Sequence, residues 1–301
     1  MCILILVILN IHIKIMKALF FSAIILFATN CRQNAQQRIK VVTTLPKEIK
    51  EASACEISTA SNLIWTIEDQ GNENLLFGFN KNGELIRKIR ISNVENNDWE
   101  DLSSDDEGNL YIGDFGNNDN ERQNLAIYKI NASDLIKGEA NASEIVQFYY
   151  PEQKDFPPKK KEKVFDVESF FFYNNHFYLF TKNRSSKFDG TTSLYRLDNN
   201  SQTKLPAKKL AEFVTCGNFN HCAVTSAAIS PDKKKVALLS SDKVWIFTDF
   251  KDDNFFSGKS KMIELENFTQ KEGLCFETNE TILITDESAK KGDSFLYRLK
   301  L

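Results

Sequence analysis

The sequence is poor in histidine, methionine and proline, with 3, 3 and 6 copies respectively in 301 residues. It contains no Cys-x-x-Cys pair and its histidines are scattered, which argues against a zinc site of the Cys/His type. The formal net charge is −3, whereas a nucleic-acid-binding protein would normally carry a basic surplus. The motifs of serine-hydrolase elbows, phosphate-binding loops, dinucleotide folds and HExxH metalloproteases are also missing, so none of these catalytic classes is indicated.

Long apolar runs are confined to the start of the chain, at 2–13 and 18–28. Met16-Lys17 followed by the second run is typical of a signal peptide, and we expect Met16 rather than Met1 to be the true initiator. The run ends at Ala-Thr-Asn-Cys, which predicts a bacterial lipoprotein with a lipid on Cys31. An ordinary signal peptide or a retained membrane anchor is the alternative. We therefore divide the chain into a signal at 1–31, a polar tether at 32–38 and a single domain at 39–301, and expect export to the cell envelope, in the periplasm or on the outer membrane.

Export implies an oxidising compartment, in which cysteines can pair. Cys216 and Cys222 bracket the five residues Gly-Asn-Phe-Asn-His, so we predict a local disulfide between them.

A repeated unit runs through the chain, with strong copies at 99–117, 166–184 and 271–288. In each copy a glutamate precedes one strand-like run, and a polar turn leads into a second, dense apolar run. The glutamate is followed fourteen positions later by a charged residue: Glu100 by Asp114, Glu168 by Lys182, and Glu272 by Asp286.

Weaker copies lie at 51–72 and 224–247, and alternating runs at 84–91, 143–150, 208–214 and 261–268 supply fourth strands. The fifth unit ends without a fourth strand, and the opening run 38–45 has no partner. These facts predict an all-β fold, a β-propeller of five four-stranded blades in which the N-terminal strand completes the last blade. A six-bladed ring or a β-sandwich is the alternative.

The propeller geometry predicts where the repeated acids lie. The first strand of a blade lines the central channel, and the loops entering it and leaving the second strand lie on the same face. A ring of carboxylates at that face would repel one another unless they bound a hard cation, above all Ca²⁺. The predicted metal ligands are Glu51, Asp69, Glu100, Asp114, Glu272 and Asp286. Loop capping by each acid, or a metal-free catalytic carboxylate pair, are the alternatives.

Positive groups are expected on the same face, where they would suit a phosphate or carboxylate ligand. The predicted ligand-binding residues are Trp99 at the channel mouth together with Arg122, Lys182, Arg184 and His221. If the protein is catalytic, Glu100 or Glu168 is the predicted general base.

The segments NDWEDLSSDDEGNLYIGDFGNN, VFDVESFFF, VTSAAISPDKKKVAL and KEGLCFETNETILITDES resemble exported bacterial propellers, over nearly all of 40–301. These include the SdiA-regulated family and the phytase-related "esterase-like" propellers. The resemblance implies a Ca²⁺-binding propeller, some relatives of which are metal-dependent hydrolases. It matches the motif Glu to Glu100, Glu168 and Glu272 and the motif Asp to Asp114 and Asp286, but the sequence departs at Lys182 and Thr225, where two blades lack an acid.

The leading functional hypothesis is therefore a lipid-anchored, non-catalytic envelope protein that binds Ca²⁺ and an anionic ligand, a glycan or a protein partner on its axial face. The alternative is a metal-dependent hydrolase of phosphoesters or lactones. Membrane contact would be made through the lipid anchor, and no nucleic acid is expected.

Overall fold

The computed structural model describes residues 39–287 and 292–301. The predicted signal, tether and lipidated Cys31 lie outside the described residues. The described residues belong to one compact unit. No helix in the described ranges is both long enough and apolar enough to span a bilayer.

The fold begins with β1 (Lys40–Thr44), which belongs to the last blade and is followed by the first two blades. Blade one contains β2 (Glu56–Ile57), β3 (Ile64–Ile67), β4 (Leu75–Phe79) and β5 (Leu85–Ile91). Blade two contains β6 (Trp99–Ser104), β7 (Leu110–Asp114), β8 (Ala126–Ile130) and β10 (Glu144–Tyr149). Two short strands extend the outer edges in parallel: β9 (Glu139–Ala140) beside β5, and β14 (Leu205–Pro206) beside β10.

The remaining three blades follow the same order from the axis outwards. Blade three contains β11 (Asp166–Tyr173), β12 (His176–Lys182), β13 (Thr191–Asp198) and β15 (Lys208–Val214). Blade four contains β16 (Ser226–Ile229), β17 (Lys235–Leu239), β18 (Lys243–Thr248) and β19 (Lys259–Glu264). Blade five contains β20 (Gln270–Thr278), β21 (Thr281–Glu287) and β22 (Phe295–Lys300), with β1 as its outermost strand.

The ring is closed by β1, which pairs antiparallel with β22 from Lys40 opposite Arg298 to Thr44 opposite Phe295. The first strand of the domain thus covers the edge that the last blade would otherwise expose. The prediction of a five-bladed propeller closed by the N-terminal strand is confirmed, and the six-bladed and sandwich alternatives are wrong.

The hydrophobic core lies between neighbouring blades. Trp65 and Trp99 are fully buried between blades one and two, and Phe115, Phe148 and Phe170 pack edge to face between blades two and three. Large aromatic side chains fill the spaces between blades because each buries a large apolar surface and pairs edge to face with its neighbours.

Helical structure is minor in the part of the chain that is described. It consists of α1 (Phe219–Cys222) and three 3-10 turns at Ala132–Asp134, Lys160–Glu162 and Phe255–Ser257. A disulfide joins Cys216 to Cys222 across α1, with the two Cα atoms 5.6 Å apart.

Candidate functional site

A cavity of about 300 Å³ lies at the start of four of the five inner strands, those of blades one, two, three and five. We call it the axial pocket. Its wall carries seven carboxyl groups and two basic groups: Glu51, Asp69, Asp98, Glu100, Glu168, Glu272 and Glu287, with Lys182 and Arg184. The neutral residues of the wall also offer oxygen atoms, from Ser53, Gln70, Asn118 and Gln270.

The three glutamates of the repeat enter the pocket through the same backbone feature. In blade two the ladder pairs Trp99 with Asp114 and Asp101 with Gly113, which leaves Glu100 as an extra residue. Glu168 is the extra residue between Val167 and Ser169. Glu272 is the extra residue between Lys271 and Gly273. A β-bulge redirects the side chain of its extra residue, and here it aims all three carboxyl groups at the axis.

Both basic groups of the pocket are bound to acids. Lys182 Nζ donates to Glu168 Oε2 at 2.7 Å, and Arg184 donates from Nη2 to the other oxygen of Glu168. Arg184 Nε also donates to Asp166 Oδ2 at 2.6 Å. Although burial acts to raise it, the positive charges of Lys182 and Arg184 hold the pKa of Glu168 below its usual value. Glu168 is therefore ionised, and no positive charge is left over for an anion.

Three other carboxyl groups of the pocket wall have raised pKa values. Burial, reinforced by the charges of Glu168 and Asp98, raises the pKa of Glu100 well above its ordinary value. Burial and the neighbouring Asp166 raise the pKa of Asp98 to about 7, and burial raises that of Glu272 to about 7. The pocket thus places the protonated Glu100 beside the ionised Glu168.

The other side of the pocket carries three acids, Glu51, Asp69 and Glu287, which are hydrogen-bonded to Asn72 and Gln270. Burial and the charge of Glu51 raise the pKa of Asp69 to about 6, and burial and the charge of Asp69 raise the pKa of Glu287 to about 7. Asn72 Nδ2 donates to Glu51 Oε2 at 2.6 Å and to Asp69 Oδ1 at 3.3 Å. A cation in the pocket would relieve the mutual repulsion of these groups.

Gly116 fixes the position of two of these acids. A Cβ atom on this residue would lie 2.1 Å from Glu100 Oε1 and 2.4 Å from the carboxyl carbon of Asp98. The loop after β7 therefore packs its backbone closely against the pocket carboxyl groups, and a larger residue at 116 would require these side chains to move.

Two of the predicted metal ligands lie outside the axial pocket. Asp114 is fully buried and accepts hydrogen bonds from Arg122, Tyr128, Asn97 and the backbone N–H of Asp98. Asp286 accepts from the backbone N–H of Phe295 and from the hydroxyl of Tyr297, each at 2.6 Å. Both act as loop caps, the alternative that the sequence had left open.

Three predicted ligand-binding residues also lie elsewhere. Trp99 is buried in the core and donates from Nε1 to the backbone oxygen of Glu95, so it does not wall the channel mouth. Arg122 binds Asp114 at 2.7 Å. His221 is hydrogen-bonded through Nδ1 to Asp242 at 2.6 Å and packs against Phe268.

The strand register shows why a spacing of fourteen residues from Glu168 reaches Lys182 and misses the capping residue of blade three. The cap position, opposite the residue before the bulge, is occupied by Asp114, Thr181 and Asp286. Thr181 Oγ1 accepts from the backbone N–H of Ser193, as Asp286 does from Phe295. Lys182 is therefore one residue past the cap, at the position of Glu287, and both line the pocket.

In blade one, too, the capping residue lies one position before the residue that faces the pocket. Ala52 pairs with Glu68, so Glu68 holds the cap position and its Oε1 accepts from the backbone N–H of Lys50 at 2.7 Å. Asp69 follows the cap and faces the pocket. Sequence reasoning missed Glu287 as a pocket residue. The sequence feature that could have identified Glu287 is its position directly after the capping residue Asp286.

In the part of the chain that the structure describes, no three His, Cys, Asp or Glu side chains stand close enough together to hold a metal ion. The donors present are nevertheless oxygen atoms, which are the ligands that Ca²⁺ prefers. Closing such a site requires the pocket side chains to turn towards a common point.

Comparison with known proteins shows the fold. No family profile and no curated protein matches the sequence. The structure is similar to the PQQ-bound aldose sugar dehydrogenase of Streptomyces coelicolor, with a TM-score of 0.52, 8% identity, and coverage of 87% of this chain and 97% of that one. It is also similar to a gluconolactonase of Xanthomonas campestris, with a TM-score of 0.47, 10% identity, and coverage of 87% and 89%. Both are β-propeller proteins, as is the virginiamycin B lyase of Staphylococcus aureus, with a TM-score of 0.40, 14% identity, and coverage of 86% and 69%. The resemblance to the SdiA-regulated family stays a prediction.

Proposed function

We propose that the protein binds a hard divalent cation, Ca²⁺ in the first place, in the axial pocket. In this proposal it is a lipid-anchored, non-catalytic binding protein of the bacterial envelope. The observation that carries the proposal is the charge of the pocket wall: seven carboxyl groups face two basic groups, and both basic groups are already bound to acids. A site of this composition favours a cation over a free anion.

The ligand set that we propose differs from the one read from the sequence. Asp98, Glu100, Glu272 and Glu287 carry raised pKa values in one cavity, and each would lose its proton on binding a cation. Glu51 and Asp69 extend the acidic wall, whereas Asp114 and Asp286 are left out because their oxygens cap loops. Ca²⁺ takes six to eight oxygen ligands in flexible geometry, which suits an open, oxygen-lined pocket.

An anionic ligand or partner would bind after the cation. Lys182 and Arg184 give their donors to Glu168 and Asp166, so a phosphate, glycan carboxylate or acidic protein group would meet net negative charge in the empty pocket. A bound cation would reverse that balance and provide the positive centre. Binding of the anion is therefore expected to depend on the cation.

The test is Ca²⁺ titration by calorimetry, combined with thermal unfolding in Ca²⁺ and in chelator. At a Ca²⁺ concentration of 100 times Kd, the native state gains about 2.7 kcal/mol, which corresponds to a rise in Tm of roughly 5–10 °C. The double variant Glu100→Gln with Glu272→Gln should remove both the binding and the shift.

A matched control changes the charge by the same amount outside the pocket. Glu212 and Glu264 are exposed on the outermost strands β15 and β19, so Glu212→Gln with Glu264→Gln should bind Ca²⁺ as the wild type does. If the pocket variant keeps its affinity, or if the control loses it equally, the axial pocket is not the cation site.

A second candidate, metal-assisted hydrolysis of phosphoesters or lactones, is favoured by the Glu100–Glu168 pair. Two neighbouring carboxyl groups in opposite proton states are the arrangement that an acid–base pair needs. A bound cation would supply polarisation of the scissile group. Glu100 would then hold the proton given to the leaving group, and Glu168 would stay ionised. Turnover of a phosphoester or lactone that Glu100→Gln abolishes would establish this function, and absence of turnover on both classes would exclude it.

A further inference from the structure

Two cysteines meet at the junction between the first and last blades. Cys55 lies directly before β2 of blade one, and Cys275 lies within β20 of blade five. Their Sγ atoms are 3.4 Å apart, both residues are at most 1% exposed, and both are free thiols.

The fold itself enforces this approach. A Cβ atom on Gly273 would lie 2.4 Å from the backbone carbon of Ala54 and 2.5 Å from the nitrogen of Cys55, so β20 can press against this segment only because residue 273 is a glycine. Thr285 Oγ1 also donates to the backbone oxygen of Ala54 at 3.1 Å. Two contacts besides the thiols therefore hold the two backbones together.

We propose that Cys55 and Cys275 form a second disulfide, which locks blade one to blade five and closes the ring covalently. A disulfide has its sulfur atoms about 2.0 Å apart, so the two Sγ atoms need to approach by roughly 1.4 Å. This approach requires the two side chains to rotate towards each other.

The reaction is thiol–disulfide exchange with a small-molecule disulfide as oxidant. One protein thiolate attacks the reagent disulfide, forms a mixed disulfide and releases one reagent thiol. The second protein thiolate attacks the mixed disulfide and releases the other reagent thiol. Two protein thiols are thus oxidised to one disulfide, and one reagent disulfide is reduced to two thiols, which take up the two protons.

Exchange must take place before the blades are fully packed. The hydrogen bond from Cys55 and burial raise the pKa of the Cys275 thiol well above its ordinary value, so little thiolate is present in the folded state. The reagent also cannot reach sulfur atoms that are enclosed by the core. We therefore expect the bond to form as blade five meets blade one during folding.

The bond would join residues separated by 220 positions in the chain. β1 already holds the outer edge of blade five, and the proposed disulfide would hold its inner strand. Cross-linking so long a loop restricts the unfolded chain strongly, and for a domain of this size we expect a rise in Tm on the order of 10 °C.

The experiment maps the cysteines of the full chain after refolding from denaturant with mixed oxidised and reduced glutathione. Free thiols are alkylated under denaturing conditions, and the digest is analysed by mass spectrometry without reduction. We expect a peptide pair linked through Cys55 and Cys275 in addition to the Cys216–Cys222 peptide. Alkylated Cys55 and Cys275, or either one linked to another cysteine, would overturn the proposal.

Thermal unfolding then tests what the bond does. The oxidised protein should melt about 10 °C above the reduced protein, and Cys55→Ala with Cys275→Ala should abolish most of that difference. The matched control, Cys216→Ala with Cys222→Ala, should keep it. Equal melting of the Cys55→Ala/Cys275→Ala variant and the oxidised wild type would show that no ring-locking bond forms. The mapping is done on the wild-type chain, so it stands even if a variant fails to fold.

Discussion

Replacing Asp114 by alanine tests whether the acid after the second strand supports the fold rather than the cation site. The carboxylate is fully buried and takes four hydrogen bonds. Arg122 Nη2 and the hydroxyl of Tyr128 donate at 2.7 Å, Asn97 Nδ2 at 2.8 Å, and the backbone N–H of Asp98 at 3.1 Å. The substitution removes the acceptor of three donors and leaves Arg122 Nη2 with its longer bond, 3.4 Å, to the backbone oxygen of residue 114.

The expected loss of stability follows from these contacts. Removing one partner of a buried ion pair costs about 3–5 kcal/mol, and each abandoned donor costs about 1–3 kcal/mol. The side chain of Arg122 is 15% exposed and can regain water, which places Asp114→Ala at the lower end, about 3 kcal/mol. Asp286→Ala abandons two neutral donors and should cost about 2 kcal/mol, and Tyr128→Phe, which removes one donor, about 1 kcal/mol.

Urea denaturation measures these values, with a lower midpoint and an unchanged slope as the signature of lost stability. Calorimetry on the folded variants should show Ca²⁺ affinity unchanged for Asp114→Ala and Asp286→Ala, because neither side chain lines the axial pocket. A stability loss below 1 kcal/mol for Asp114→Ala would refute the capping role. Loss of Ca²⁺ binding in the folded variant would return Asp114 to the set of ligands.

Three further predictions follow from single side chains. Lys182→Met removes a positive charge from the pocket while Arg184 still pairs with Glu168. Ca²⁺ affinity measured by calorimetry should therefore rise about tenfold. A fall in affinity would mean that Lys182 supports the cation site. Burial raises the pKa of Glu56 to about 7, so the folded state binds the Glu56 proton more tightly than the unfolded state does. The stability gained from this tighter proton binding is complete below pH 4.5 and is lost as the pH rises to 7. Glu56→Gln should remove that slope, at most about 3 kcal/mol, from the free energy of unfolding measured between pH 4.5 and 7, and an unchanged slope would contradict the assignment. Cys31→Ser should move the protein from the membrane fraction to the soluble fraction of its host, whereas retention would mean that a lipid on Cys31 is not the anchor.

The architecture could be predicted because it depends on features that a linear sequence carries. Alternation of apolar and polar residues marks strands, and repetition at about fifty residues marks blades. The run 38–45 at one end and the missing fourth strand at the other could be joined because a propeller must cover its last edge. In the structure, β1 pairs with β22 and so covers that edge.

The pocket was only partly predictable because residue spacing does not report strand register. The hairpin from β11 to β12 turns through Asn174 and Asn175 alone, whereas five residues separate the paired Ser104 and Leu110 in blade two. Blade three also has one more ladder pair after its bulge than blade two, five against four, so its cap comes only one residue earlier. A fixed spacing of fourteen therefore reaches the cap in blade two and the residue after the cap in blade three. The bulges that turn the repeat glutamates inwards depend on ladder pairing, which the sequence pattern leaves open.

In blades one, three and five the capping residue and a pocket residue are consecutive, so one residue secures a loop while the next lines the pocket. Asp286 ties the end of β21 to Tyr297, while the next residue, Glu287, faces the cavity. In blade three Thr181 caps the corresponding turn, so Lys182 is free to supply positive charge to Glu168 at no cost to the cap. The absence of an acid at position 182 therefore has a structural explanation. It places a basic group where it helps to hold one glutamate ionised, while burial raises the pKa values of the neighbouring Glu100 and Glu272.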